Sequence, residues 1–169
     1  MESRNLWAPW RIGYVQGLTE KKDCFICHNI KNPSEDAKNF VLWRTNNSIV
    51  ILNHFPYNNG HLLIAPVRHI PDLDQASDNE LLELIKLTRE SQKVLSKAVK
   101  PHGFNIGINI GRYGGAGLPG HVHLHIVPRW DGDTNFMATC SDTKVISQSL
   151  AELFNLLIKT SQEYNLPGL

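Results

Sequence analysis

Between residues 40 and 67, apolar and polar positions fall into three short extended runs. "FVLWRT" (40–45) and "SIVILN" (48–53) are separated by Asn46 and Asn47, residues suited to a hairpin turn. "HLLIAPV" (61–67) follows "PYNNG" and stops before Pro71. From Ser77 the period changes. Leu81, Leu84, Ile85, Thr88, Leu95 and Val99 recur at helical spacing, Ser77 and Glu80 match a capping box, and Pro101 closes the run. Strand character returns in "FNIGINIG" (104–111) and "HVHLHIVP" (121–128), joined by the glycine-rich "RYGGAGLPG". A last helix is predicted over "SQSLAELFNLLIKTSQEY" (147–164), with Leu150, Leu153, Phe154, Leu157 and Ile158 on one face. Residues 1–23 show no periodicity and read as an irregular arm, and "CFICHNIKNPSEDAKN" (24–39) reads as a loop with a short turn after Cys27. Strands joined mostly by tight turns, with one helix inserted, predict an α+β fold: a mainly antiparallel five-stranded sheet, one long helix packed on it and a C-terminal helix.

The fifth strand carries the unusual chemistry. Three of the chain's eight histidines, His121, His123 and His125, fall within five residues and alternate with Val122, Leu124 and Ile126. Side chains alternate faces along a strand, so the imidazoles share one face and the aliphatic residues the other. The aliphatic face is expected to pack on the long helix, leaving the histidine face outside the core, because three buried imidazoles would each need polar partners. A lone strand histidine is usually a surface or satisfied residue; three in register point to chemistry near neutral pH, where imidazole serves as nucleophile, acid or ligand. "GAGLPG" (115–120) formally fits a dinucleotide-binding G-x-G-x-x-G, but Pro119 and the strand that follows exclude the helix such a turn must open. Glycine-freed amides can still form an anion nest.

Composition adds limits. At 169 residues the chain suits one domain with its own core, and a formal charge of +1 argues against broad capture of nucleic acid. No apolar run reaches membrane-span length and the N-terminal stretch lacks a signal-peptide h-region, so a cytoplasmic protein is expected. Of the three cysteines, Cys24 and Cys27 form a Cys-x-x-Cys pair suited to a metal half-site or a redox couple, and Cys140 stands alone.

Taken together, the loop and the triplet resemble the histidine-triad (HIT) superfamily, whose signature is His-φ-His-φ-His-φ-φ with φ apolar. Here it is His121-Val-His123-Leu-His125-Ile-Val. The resemblance runs from about Phe40 to Trp130 and includes "LNHFPYNNGHLLIAP" (52–66), similar to a segment of Fhit-type nucleotide hydrolases. "LWAPWR" (6–11) and "PRWDGDTNFM" (128–137) are similar to diadenosine tetraphosphate phosphorylases of bacterial and archaeal type. It implies an N-terminal arm over 1–39, a HIT core over 40–130 and a C-terminal extension over 131–169. It also implies a nucleotidyl-transferring enzyme acting on a dinucleoside polyphosphate by phosphorolysis or hydrolysis. The alternatives are a nucleoside phosphoramidate hydrolase or a non-catalytic nucleotide-binding module.

By the same resemblance, His123 is the nucleophile, His125 and His61 orient and polarise that site, Asn53 is a ribose or nucleotide contact and Asn109 a phosphate contact. The family often has Gln and Ser where this chain has Gly117 and Leu118. The amides of Gly115, Ala116 and Gly117, with Arg112 in the same loop, are the expected substitutes. Some members hold structural zinc, and Cys24, Cys27, His69 and His121 occupy the matching positions, with His28 as a rival ligand. A homodimer is implied as well. Trp7, Trp10, Trp43 and Trp130 could stack a base and Arg68 or Arg129 meet phosphate, but core and surface roles serve these equally well.

Overall fold

The computed structural model describes residues 24–134 and 145–165. The 1–23 arm with Trp7, Trp10 and "LWAPWR", residues 135–137 of the second flanking stretch, and Cys140 lie outside them. The element order is α1 (Phe25–Lys31), β1 (Val41–Arg44), β2 (Ser48–Leu52), β3 (Leu62–Pro66), α2 (Asp78–Ala98), β4 (Gly103–Ile108), β5 (Leu124–Arg129) and α3 (Leu150–Glu163). The strands form one five-stranded sheet in the order β1-β2-β3-β5-β4, every neighbouring pair antiparallel. The α+β expectation holds.

Local chemistry explains the boundaries. Thr45 and Ser48 close the β1–β2 turn, the Thr45 amide donating to the Ser48 carbonyl at 2.9 Å and the Ser48 amide to Thr45 Oγ1 at 2.9 Å. At α2 the capping box is complete: Ser77 Oγ accepts from the Glu80 amide, and the Glu80 carboxylate accepts from the Ser77 amide at 2.8 Å. Arg68 clamps the same carboxylate with Nε and Nη2, both at 2.8 Å. Those Arg68 bonds, then the Ser77 amide, hold the Glu80 carboxyl down to about 2. Arg68 is thereby committed to a helix cap rather than to a phosphate.

Each face of the sheet has its own cover. Leu42, Val50, Leu52, Leu62, Ile64, Leu124 and Ile126 pack against Leu84, Leu87, Val94 and Leu95 of α2 and Leu153, Phe154 and Leu157 of α3. Burying one such leucine is worth about 1.5–3 kcal/mol, so α3, drawn from the C-terminal extension, completes the same core. The buried stripe of α2 differs from the apolar pattern: Ile85 is 61 % exposed, while Leu87, Ser91 and Val94 are buried. On the opposite face Val41, Ile49, Ile51 and Ala65 are covered by Ile26, and Ile30 and Leu118 pack beside them. The stretch expected to be a loop therefore supplies a seven-residue helix, α1, whose side-chain cap is Cys24. It covers only the β1–β3 side of this face.

Candidate active site and metal-ligand cluster

The three histidines sit where the glycine loop feeds β5. Gly120 and His121 belong to that turn: the His121 amide donates to the Leu118 carbonyl at 3.3 Å and the Val122 amide to the Ile70 carbonyl at 2.7 Å. The strand starts at Leu124 rather than His121, because the segment before it is tied to the turn and not to the ladder. Leu124 and Ile126 do pack against α2, while Val122 is buried outside that cluster. Most of the imidazoles are not outside the core, however: His61 and His121 are fully buried and His123 is 5 % exposed, with His125 half-buried. Burial is tolerated because each ring has polar partners.

Those partners fix which nitrogen carries the proton. His61 Nδ1 accepts from the Tyr57 amide and lies the same 3.1 Å from Asn53 Nδ2, so it is bare. Its Nε2–H therefore donates to His125 Nδ1 at 2.9 Å. His125 must then be protonated on Nε2, a buried nitrogen without a hydrogen-bond partner among the described residues. His123 Nδ1–H donates to the His121 carbonyl at 2.8 Å, which leaves a lone pair on Nε2. The His123 and His125 ring centroids are 4.9 Å apart. The result is a lone pair beside an unused donor.

Burial keeps these rings uncharged. It lowers His123, pushes His125 down to about 4 and, with His125 and His123 adding their share, takes His61 to about 3. At neutral pH a free imidazole would be partly charged; here each is held neutral. Tyr57 covers the group, its ring 5.8 Å from His125 at an interplanar angle of 17° and 4.6 Å from His61.

His121 points elsewhere. Its Nε2–H donates to the Pro66 carbonyl at 2.8 Å, and its bare Nδ1 lies 3.2 Å from Cys24 Sγ and 3.6 Å from Cys27 Sγ. His69 Nδ1 is 3.2 Å from Cys27 Sγ. The four ligand atoms all lie within 4.8 Å of one another. In a tetrahedral zinc site, bond lengths of about 2.3 Å to sulfur and 2.0–2.1 Å to nitrogen place S and N roughly 3.6 Å apart, so the cluster fits. His28 bonds to Glu35 instead, at 3.4 Å, and stays outside it. Burial raises the Cys24 thiol to about 11, so without a cation Cys24 stays protonated.

The remaining predicted residues divide. Asn109 lines a groove with His125, and its Nδ2 reaches the Gly115 carbonyl at 3.5 Å. Asn53 is tied up at both ends, by His61 and by the Phe55 amide, so it seats His61 rather than presenting free groups. The Gly115 and Ala116 amides donate to the Arg112 and Gly111 carbonyls, both at 3.1 Å, which turns the loop and removes two donors from the expected nest; Gly117 is outside those bonds. Gly111 and Gly115 adopt φ values of +70° and +88°, which a side chain would resist. Arg112 is exposed. Trp43 donates to Ser161 at 3.1 Å and Trp130 to the Val99 and Lys100 carbonyls just beyond α2, so both hold the fold. Asp133 pairs with Arg129 at 2.6 and 2.9 Å. The sequence reading missed Tyr57, Asn105 and Gly107; the latter two become visible only once β4 is paired with β5, setting Gly107 opposite His125 and Asn105 opposite Val127.

Comparison with known proteins agrees with this geometry. Residues 34–132 match the model of the HIT domain. The chain is 35 % identical over 160 residues to an AP-4-A phosphorylase of Mycobacterium tuberculosis, covering 91 % of this chain and 82 % of that one. It is 38 % identical over 93 residues to an asymmetrical bis(5'-nucleosyl)-tetraphosphatase of Schizosaccharomyces pombe, covering 55 % of this chain and 50 % of the relative. Among solved structures, a Zn-bound histidine triad family protein from Mycobacterium smegmatis superposes with a TM-score of 0.68 at 24 % identity, over 85 % of this chain and 96 % of that one.

Proposed function

This chain belongs to the HIT domain family, and from that premise we propose that it transfers a nucleotidyl group through His123, cleaving a dinucleoside polyphosphate. The observation that carries the proposal is the lone pair on His123 Nε2 set beside the unpartnered Nε2–H of His125. His123 Nε2 attacks the α-phosphorus, an N–P bond forms and the P–O bond to the leaving polyphosphate breaks. His125 Nε2–H donates a hydrogen bond to the departing oxygen, which leaves as its anion, and His61 holds His125 in that tautomer. Because His123 Nδ1 already bears a proton, the nucleotidylated ring is cationic. It departs readily when water or inorganic phosphate attacks in the second step. Asn109, the Gly117 amide and Arg112 are the proposed phosphate contacts, with Gly115 and Ala116 shaping the loop.

Incubation with diadenosine tetraphosphate, with and without inorganic phosphate, tests this and resolves the acceptor. ADP plus ATP formed only with phosphate identifies a phosphorylase; AMP plus ATP in either condition identifies a hydrolase. No cleavage under both conditions overturns the proposal.

We further propose that Cys24, Cys27, His69 and His121 hold a structural zinc ion, which when bound would tie α1 to the turn before β5. Metal analysis should find one equivalent of zinc, lost in Cys27→Ser together with thermal stability; metal-free protein of unchanged stability contradicts it. A homodimer formed through β4 is proposed because that strand is at the sheet edge and Ile106 is 44 % exposed there. A reducing cytoplasmic setting suits the free thiols. Among the described residues, no helix is long and apolar enough to cross a membrane.

A further inference from the structure

Two grooves on the uncovered part of the histidine face meet end to end. One, of about 210 Å³, is lined by Tyr57, Asn105, Gly107, Asn109, His125 and Val127. The other, of about 280 Å³, is lined by Tyr57, Asn58, Asn105, Val127 and Arg129. They share Tyr57, Asn105 and Val127 and so form one trough, running from Asn109 and His125 along β4 and β5 to Arg129. The chemistry assigned to His123 and His125 uses only its near end.

The far end is prepared for a ligand. Arg129 Nη1 donates to Asn105 Oδ1 at 2.7 Å, which fixes the carboxamide. Asn105 Nδ2 makes no bond among the described residues and is left as a donor. The charge of Arg129 is balanced by its two bonds to Asp133. That end therefore favours hydroxyl groups and an aromatic ring under Tyr57 over a bare phosphate. Between the two ends lies Gly107, opposite His125, where a Cβ would meet no atom within 4 Å. The absent side chain keeps the floor of the trough open. Asn105 and Asn109 are four residues apart on an extended segment, roughly 13 Å, a span that suits several linked phosphates and a sugar rather than one phosphate.

We propose that this trough binds the departing half of a dinucleoside polyphosphate, its phosphates passing over Gly107 beside His125 and the ribose of the second nucleoside meeting Asn105 beneath Tyr57. The inference rests on the nucleotidyl-transfer reading and adds to it: residues that touch neither His123 nor the attacked phosphorus select the leaving group. Passage beside His125 sets the breaking P–O bond next to the Nε2–H.

The test compares two substrates with the same adenylyl half. One is diadenosine tetraphosphate and the other is AMP carrying fluoride on phosphorus, whose leaving group is too small to reach Asn105. Gly107→Val fills the trough at a position where the fold has room. Asn105→Asp keeps the acceptor for Arg129 and replaces the groove-facing donor with a carboxylate oxygen. Each variant should lower kcat/KM for the tetraphosphate at least tenfold more than for the fluoridate. An equal effect on both substrates, or none on either, overturns the trough while leaving nucleotidyl transfer intact. If wild-type protein cleaves neither substrate, with or without inorganic phosphate, the underlying reading fails and the trough with it.

Discussion

The two faces of the central sheet bury their residues by different means: α2 and α3 cover one, while α1 covers only the β1–β3 side of the other. On the α2/α3 face, aliphatic side chains interlock, and the polar groups buried with them, such as Thr88 and Ser161, serve the packing. On the other face His61, His121 and His123 are as deeply buried, but each is placed by hydrogen bonds whose direction decides what it can do. The same residue type has a different role at each of three alternate positions leading into β5. His121 donates through Nε2 and turns a bare Nδ1 to two thiols; His123 donates through Nδ1 and keeps a bare Nε2; His125 accepts at Nδ1 and keeps an Nε2–H. One face supplies stability through volume and the other supplies function through proton placement. Substitutions should therefore separate the two properties.

The largest separation is expected from His123→Ala, which should reduce turnover of a dinucleoside polyphosphate by roughly 10⁴-fold or more while the protein remains folded by circular dichroism. Turnover close to wild type would remove the functional distinction between the faces. His125→Gln should cost roughly 10²–10³-fold, as loss of one hydrogen-bond donor to developing negative charge does, and less for substrates with better leaving groups. An equal loss for good and poor leaving groups would show that His125 does not donate to the departing oxygen. On the aliphatic face, Leu157→Ala should lower unfolding free energy by about 2–5 kcal/mol, with kcat/KM of the folded protein within about twofold of wild type. A large catalytic defect there would show that the faces are coupled through the sheet.

The smallest effect concerns pH. His61 titrates at about 3 in the folded protein because burial disfavours its charge, against about 6.5 when unfolded. The unfolded chain thus takes up a proton below pH 6.5 that the folded one refuses. Stability is full above that pH and falls as pH drops toward 3, by up to about 1.4 kcal/mol per pH unit from this group. Chemical denaturation at pH 7 and pH 5 should show a shallower loss in His61→Gln than in wild type. Equal losses would mean that His61 does not carry this linkage.

Legibility in the sequence follows the same division. Period-two and helical patterns placed five strands and two long helices, since aliphatic packing is what those patterns record. At Ile85, Ser91 and Glu90 residue type misled, Ile85 standing exposed while the polar pair is buried. α1 escaped notice because seven residues with two buried positions, Ile26 and Asn29, leave no period to detect. The candidate site was readable where spacing encodes it, in the histidine triplet and the Cys-x-x-Cys pair. It was not readable where backbone geometry decides, as with the loop amides of Gly115 and Ala116 that bond within their own turn. Asn105 and Gly107 were hidden for a further reason: they gain meaning only from the register of β4 against β5.

The most direct measurement is to quench a reaction with labelled diadenosine tetraphosphate and map the label by peptide mass spectrometry. An acid-labile nucleotidyl group on the ring of His123, absent from His123→Ala, is the predicted result. Label on His125 or another residue, or steady cleavage with no covalent intermediate in rapid-quench samples, would contradict it.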